Sequence, residues 1–276
     1  MNQRVRRISN LFLCAFPFLD LVIASARPLR TVGVYQVIGV ILFTAVVIAA
    51  GVVGARVIGL KEAGPRKFAL AGVLLVLPWA IISLLWVGIG APFQATLAEN
   101  YMRYLVLVSN SILVTSAFVV LKDALYDVGE RFYSTVGFAA NLSAGAAYLI
   151  CLNLSLAHGA MALHGDKTPP PVLLGYLYSS VELVACVMTY VTTAVFAIAL
   201  GRVRFLSRGA ARAYATVSTI FVLLLVMRGL EFPEISANTA PWYTRPGVIA
   251  GIPAIPWIMP CLLGVVLLRR AGDARS

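Results

Sequence analysis

The chain is predicted to be an all-α, polytopic transmembrane helix bundle. Three observations carry that expectation. Apolar runs of roughly twenty residues follow one another from Asn10 to Leu268. The connections between them are short and either charged or rich in Pro and Gly. The composition is 61% hydrophobic and 12% charged, with a mean hydropathy of +0.91, which leaves little material for a water-soluble domain. A bilayer core about 30 Å thick requires runs of this length, whereas a soluble surface helix needs a polar face that these runs lack. Residues 1–276 are therefore expected to form a single integral membrane domain.

Eight spans are expected, near 10–26, 33–55, 68–91, 101–121, 133–157, 172–200, 210–230 and 247–268. The first follows Arg4, Arg6 and Arg7 and carries Pro17 and Asp20. The second runs without a charge as far as Arg56. Lys61-Glu62-Ala63-Gly64-Pro65 precedes the third, and Ala91-Pro92 ends it. The fourth opens on Glu99-Asn100-Tyr101-Met102-Arg103-Tyr104, charges and aromatics suited to capping and anchoring a helix start, and stops at Lys122-Asp123. The fifth follows Arg131 and the sixth follows Thr168-Pro169-Pro170-Pro171. Phe232-Pro233 closes the seventh, and Arg269-Arg270 closes the eighth.

Lys and Arg placement sets the expected orientation, because cytoplasmic loops are enriched in positive charge. With eight crossings, sixteen of the twenty-two basic residues fall on one side, among them Arg4, Arg6, Arg7, Arg56, Arg131, Arg202 and Arg269. The other six are Arg27, Arg30, Arg103, Lys167, Arg228 and Arg245. If the first run did not cross, the split would fall to thirteen against nine. Eight crossings put both termini in the cytoplasm, and a bacterial inner (plasma) membrane is the expected location. The alternative is a secretory signal cleaved after Ala24-Ser25-Ala26, leaving seven helices. Pro17 and Asp20 interrupt the apolar stretch such a signal needs. In both cases the C-terminus is cytoplasmic.

The formal charge of +11 would suggest nucleic acid in a soluble protein. Here the basic residues flank apolar runs, where their expected partners are membrane lipids, and no nucleic-acid partner is expected. Cys14, Cys151, Cys186 and Cys261 each sit in a different run, without metal-ligand or disulfide spacing, and are expected to pack as small hydrophobes.

Ionisable groups at membrane depth are costly, so they mark candidate sites. Glu182 lies about eleven residues into the sixth span, and Ser179, Glu182, Cys186, Thr189 and Thr193 recur at spacings of three and four as one polar stripe. A carboxyl group there could exchange protons with a ligand or with water. The hydroxyls have a simpler explanation, namely close helix packing with hydrogen bonds across the interface. Arg228 is the possible partner of Glu182, with Glu231 competing for it; an interfacial anchor is its other role. Asn110 in the fourth span and Asn141 in the fifth add buried amides. Gly137, Asn141 and Gly145 share one face that suits a close helix contact. Asp20 adds a further polar group in the first span.

The last span is interrupted by Pro253, Pro256 and Pro260, each of which removes a backbone donor. A kinked or partly unwound helix follows, either a packing kink or the kind of break with which transporters coordinate substrates. Trp257, between two of these prolines, is expected in the core or on a binding-site wall. His158 and His164 with Asp166 form only a loose grouping on the outer side, and no metal site is assigned.

No apolar run contains histidine, which removes helix-borne haem ligation, and the final run has no lysine to carry retinal. Phosphate loops, nucleophile elbows and HExxH patterns are lacking, so neither a cofactor nor catalytic residues are expected and an enzyme is disfavoured. The function these features suit is a small-molecule or proton-coupled transporter with a polar site near the bilayer midplane. The candidate residues are Glu182, Ser179, Thr189, Asn110, Asn141, Arg228, Trp257, Pro253 and Pro256. The alternatives are a seven-helix receptor or sensor that signals through a partner protein, and an accessory or assembly subunit of a membrane complex.

Overall fold

The computed structural model describes residues 3–25, 32–55, 63–86, 96–166, 169, 171–230 and 245–273. Among them every regular element is a helix: α1 (Gln3–Ser25), α2 (Val32–Gly54), α3 (Ala63–Ile81) continued by a π-helical turn (Ile82–Trp86), α4 (Leu97–Asp127), α5 (Phe132–Leu163), α6 (Val172–Arg202), α7 (Arg208–Leu230), α8 (Arg245–Ala250), a 3₁₀ turn (Ile255–Trp257) and α9 (Ile258–Asp273). Six segments are long and apolar enough to cross a membrane: Gln36–Gly54, Gly64–Leu85, Leu97–Asp127, Phe132–Leu163, Val172–Arg202 and Arg208–Gly229. The chain is thus a multi-pass helical membrane protein. The first expected span falls within α1, which is not among these six: the helix begins earlier, at Gln3, and its 23 residues include Arg4, Arg6, Arg7 and Asp20. The eighth is divided between α8, the 3₁₀ turn and the 16-residue α9, as the prolines predict. The connections at Lys61-Glu62, Ala91-Pro92, Thr168, Pro170 and Phe232-Pro233 lie outside the described residues, as do Ala26, Arg27, Arg30, Arg56, Lys167, Glu231 and Arg275.

Two helix ends differ from expectation. α4 continues through Lys122 and Asp123 to Asp127, and α5 continues to Leu163, so His158 is helical and exposed. Charges near a helix end need not break it, because their heads reach water while their stems cover apolar surface. Lys122 lies 5.5 Å from the centroid of the Tyr126 ring and 5.8 Å from that of Phe138. What ends α4 is Gly129 at φ 87°, a left-handed residue that lets Glu130 N–H bond the Leu125 carbonyl. The start of α4 is a capping box: Thr96 N–H donates to Glu99 Oε2 at 2.6 Å and Glu99 N–H donates to Thr96 Oγ1 at 3.3 Å.

The chain packs as two compact units. Unit 1 comprises Met1–Val120, Ser155–Lys167 and Cys261–Ser276; unit 2 comprises Leu121–Leu154 and Thr168–Pro260.

In unit 1, α3 crosses α9 where Gly72 meets Gly264. A Cβ on Gly264 would stand 2.7 Å from Leu75 Cβ and 2.8 Å from the Gly72 carbonyl oxygen. In lipid, where apolar tails compete equally for apolar surface, such close backbone approach supplies the dispersion contacts that hold helices together. Leu13, Phe16, Val53, Leu75 and Trp79 are fully or almost fully buried there. Pro78 lacks the N–H that would continue α3, and a π-helical turn follows it one turn later. Asn110 of α4 donates from Nδ2 to the Pro78 carbonyl at 3.0 Å.

In unit 2, α6 runs back along α7. Gly201 faces Ala211 near their connection, and the rings of Tyr190 and Phe221 stack 5.0 Å apart farther along. Gly137 on α5 lies under Phe196 and Val195 of α6, so this part of the small-residue face makes a close helix contact. At the α4–α5 turn, Glu130 is buried; it accepts the Tyr133 N–H at 2.9 Å and the Arg202 Nε–H at 3.0 Å. Glu130→Ala removes an N-terminal cap of α5 and an ion pair at once. We expect it to cost about 1–3 kcal/mol, read as a lower unfolding temperature in detergent, with Glu130→Gln retaining part of the loss-free capping contact.

Candidate functional site

The proline-broken segment of unit 2 carries three of the sequence-nominated residues, Pro253, Pro256 and Trp257, and packs against a fourth, Arg228. Pro253, Pro256 and Pro260 cannot donate, and the remaining amides tighten onto nearer acceptors: Ile252 N–H bonds the Ile249 carbonyl, Ile255 N–H that of Ile252, and Trp257 N–H that of Ala254. In a regular α-helix Ile255 would have bonded Gly251 and Trp257 would have bonded Pro253. Their carbonyls are therefore released.

Side chains of α5 and α6 take them up. Tyr148 donates its hydroxyl to the Pro253 carbonyl at 3.1 Å, Cys186 Sγ lies 3.5 Å from the Gly251 carbonyl, and Tyr190 donates to Ala250 at 3.3 Å. The Tyr148 hydroxyl also stands 3.7 Å from Cys186 Sγ, and its ring packs on Trp257 with centroids 5.0 Å apart. Trp257 and Pro256 are buried, while Pro253 is half-buried. The two released carbonyls, and that of Ala250, thus have protein partners.

Glu182 stands one helical turn before Cys186, and only 8% of it is exposed. Its Oε1 accepts the Tyr178 hydroxyl at 3.3 Å. Arg228 of α7 is brought to the same level of α6: a Cβ on its neighbour Gly229 would stand 3.2 Å from Leu183 Cδ2, the side chain next to Glu182. Arg228 turns toward α8: Gly247 and Gly251 face it, and a Cβ on Gly247 would meet the Leu224 carbonyl and Arg228 Cβ, while one on Gly251 would meet Arg228 Nη1. The two glycines, four residues apart, give the arginine its place. Glu231, the expected competitor for Arg228, lies outside the described residues.

The hydroxyls of the α6 stripe turn inward on their own helix. Thr189 Oγ1 donates to the Ala185 carbonyl at 2.8 Å and Thr193 Oγ1 to that of Thr189 at 2.9 Å. In a helix the i−4 carbonyl is already within reach of a threonine and needs no second element. Ser179 is half-buried. Asn141 is buried in α5 within unit 2, whereas Asn110 belongs to unit 1 and is engaged with Pro78.

Unit 1 has a second buried carboxyl group. Asp20, 1% exposed, accepts from Ser83 Oγ of the π-helical turn, and that same hydroxyl lies 3.0 Å from the Trp79 carbonyl. His164 and Asp166 are exposed. Among the described residues no three His, Cys, Asp or Glu side chains gather as a metal site.

Tyr148 and Tyr190, which hold the broken segment, are missing from the residues the sequence nominates. Tyr190 continues the Glu182–Cys186 series at a further four residues, so the stripe itself held the signal. Tyr148 is one polar aromatic in an apolar run, and nothing in its spacing ties it to a proline 105 residues away.

No protein-family model matches the chain, and neither a curated protein nor a solved structure is significantly similar to it.

Proposed function

We propose that unit 2 carries a proton-coupled transport site for a small organic anion, with Glu182 as the proton-binding group and Arg228 as the anion-binding group. The observation that supports this most is the placement of a buried carboxyl group, bonded by the Tyr178 hydroxyl, on the helix that packs on α7 beside Arg228 and next to the broken segment. With Glu182 ionised, the carboxylate and guanidinium neutralise each other. When Glu182 takes up a proton, Arg228 loses its counter-charge and can accept a substrate carboxylate in its place. Proton and anion then bind together and leave together, so charge is balanced throughout. The break in the last span serves as the deformable wall: its carbonyls are held by Tyr148, Cys186 and Tyr190, bonds that can be exchanged as the segment shifts.

The test uses pyranine-loaded proteoliposomes of the full chain and a panel of membrane-impermeant carboxylates, among them succinate and gluconate. External addition of a transported anion is expected to acidify the lumen. Glu182→Gln should abolish the acidification by tenfold or more while retaining anion exchange, and Arg228→Gln should lose both. Unchanged acidification in Glu182→Gln would reject the role of Glu182. Absence of any anion-dependent proton movement in the intact protein would favour the second reading, an accessory or assembly subunit. The feature favouring that second reading is the protein-satisfied state of the broken segment, in which side chains already bond the carbonyls of Ala250, Gly251 and Pro253.

A further inference from the structure

Around Asp20 in unit 1 there are more hydrogen-bond contacts than protons to fill them. Two oxygens stand at the Ser83 hydroxyl, Asp20 Oδ2 and the Trp79 carbonyl, the latter at 3.0 Å. A serine hydroxyl has one proton and fills one of these contacts, which leaves the other as a meeting of lone pairs. A proton on the Asp20 carboxyl group fills both: its O–H donates to Ser83 Oγ, and Ser83 donates in turn to the Trp79 carbonyl. The other carboxyl oxygen points the same way. Asp20 Oδ1 is buried and has no hydrogen-bond partner, on a residue only 1% exposed. On a carboxylate that bare oxygen would share a full negative charge; on a neutral acid it is a carbonyl oxygen, whose burial without a donor costs far less.

Among the described residues no cation is paired with Asp20. On α1 itself, Arg4, Arg6 and Arg7 lie thirteen or more residues earlier, roughly 20 Å at 1.5 Å per residue. Arg269 of α9 is tied to that same far end, where its carbonyl accepts from Arg6 at 2.8 Å. Within their apolar parts, the titratable groups of α1 and α9 are the thiols of Cys14 and Cys261. α2 from Gln36 to Gly54 and the π-helical turn hold no titratable side chain. Arg66 and Lys67 of α3 come sixteen or more residues before Ser83, and Arg103 of α4 donates to Asn100 on its own helix at 2.8 Å. We propose that Asp20 is a proton-binding site, occupied as a neutral acid whose O–H donates to Ser83 Oγ and frees the Ser83 proton for the Trp79 carbonyl. The proton comes from water and returns to it. When it leaves, the Ser83 proton turns to the carboxylate, the Trp79 carbonyl loses its side-chain donor, and one negative charge remains between α1 and the π-helical turn. The hold of α1 on that turn thus depends on the proton. This site is in unit 1 and stands independently of the transport reading for unit 2.

Infrared spectroscopy of the full chain in lipid vesicles, with the side-chain carboxyl carbon of aspartate isotopically labelled, tests the proposal. The label separates Asp20 from Glu182, and Asp123, Asp127 and Asp166 are exposed. At about pH 7, where an exposed aspartate is ionised, a labelled carboxylic-acid C=O band is expected. Asp20→Asn should remove it. Ser83→Ala should keep the band but move it to higher wavenumber, because the acid O–H loses its acceptor. Exchanging sodium for potassium at constant pH should leave it unchanged. The absence of a labelled acid band, a band that survives Asp20→Asn, a band that Ser83→Ala does not move, or one that sodium removes would each overturn the proposal. Where Asp20→Asn yields no folded protein, the shift in Ser83→Ala assigns the band, since Asp20 is the aspartate that Ser83 touches.

Discussion

Gly264→Leu is expected to lower the unfolding temperature of the protein strongly and to reduce the yield of folded protein from membranes. Its Cβ would stand 2.7 Å from Leu75 Cβ and 2.8 Å from the Gly72 carbonyl oxygen. Neither atom can rotate away, because one is fixed to the α3 backbone and the other is part of it. The helices must separate, and every contact along the crossing weakens together. Overpacking of this kind costs about 3 kcal/mol where relief requires backbone movement. Gly72→Leu approaches the same crossing from the other side, 2.9 Å from the Gly264 carbonyl, and should behave alike. Gly175→Ala, with nothing within 4 Å of its Cβ, is the control and should leave stability within about 0.5 kcal/mol. Thermal unfolding in detergent, followed by a thiol-reactive fluorophore at the buried cysteines, gives the comparison. A Gly264→Leu protein that melts with the control would show that α3 and α9 are not held at this crossing.

Tyr148 should show the second large effect, and its two substitutions separate two contributions. Tyr148→Phe keeps the ring on Trp257 but leaves the Pro253 carbonyl without its 3.1 Å donor. An unsatisfied carbonyl in a buried site costs about 1–3 kcal/mol. Tyr148→Ala also removes the ring, and loss of a fully buried aromatic raises the cost to about 3–5 kcal/mol. The difference between the variants measures the packing; the Phe variant alone measures the bond to the break. If Tyr148→Phe melts like the intact protein, the released carbonyl has found another partner and the tyrosine hydroxyl is not what stabilises the broken segment. Combining Tyr148→Phe with Cys186→Ala should give a non-additive loss, since the two side chains touch each other and hold neighbouring carbonyls.

Most of the helical content was legible from hydropathy because the criterion is local: a run either is or is not long and apolar enough to span. The break after α8 was equally legible, since a proline's missing N–H is a property of that residue alone. Helix ends were harder. Lys122 and Asp123 look like a stop in sequence, yet the helix continues through them, and it is the left-handed Gly129 that ends it. The two glycines at the α3–α9 crossing carry no spacing pattern of their own, being on helices 192 residues apart in sequence.

The residues of the candidate site divide along the same line. Glu182 and the proline break stand out in the sequence because a carboxyl group and missing donors are unusual in apolar runs, whatever surrounds them. That Arg228 turns toward α8 depends on Gly247 and Gly251 lying against α7, and that Tyr148 closes on Pro253 depends on how α5 packs on the break. The amino-acid sequence by itself determined which segments are apolar helices, where one of them must break, and which polar groups are costly enough to demand a partner. Only the tertiary structure decided which partner each one found, because a hydrogen bond is directional and short-ranged, and the spacing of residues along a chain holds no record of which helix will lie alongside.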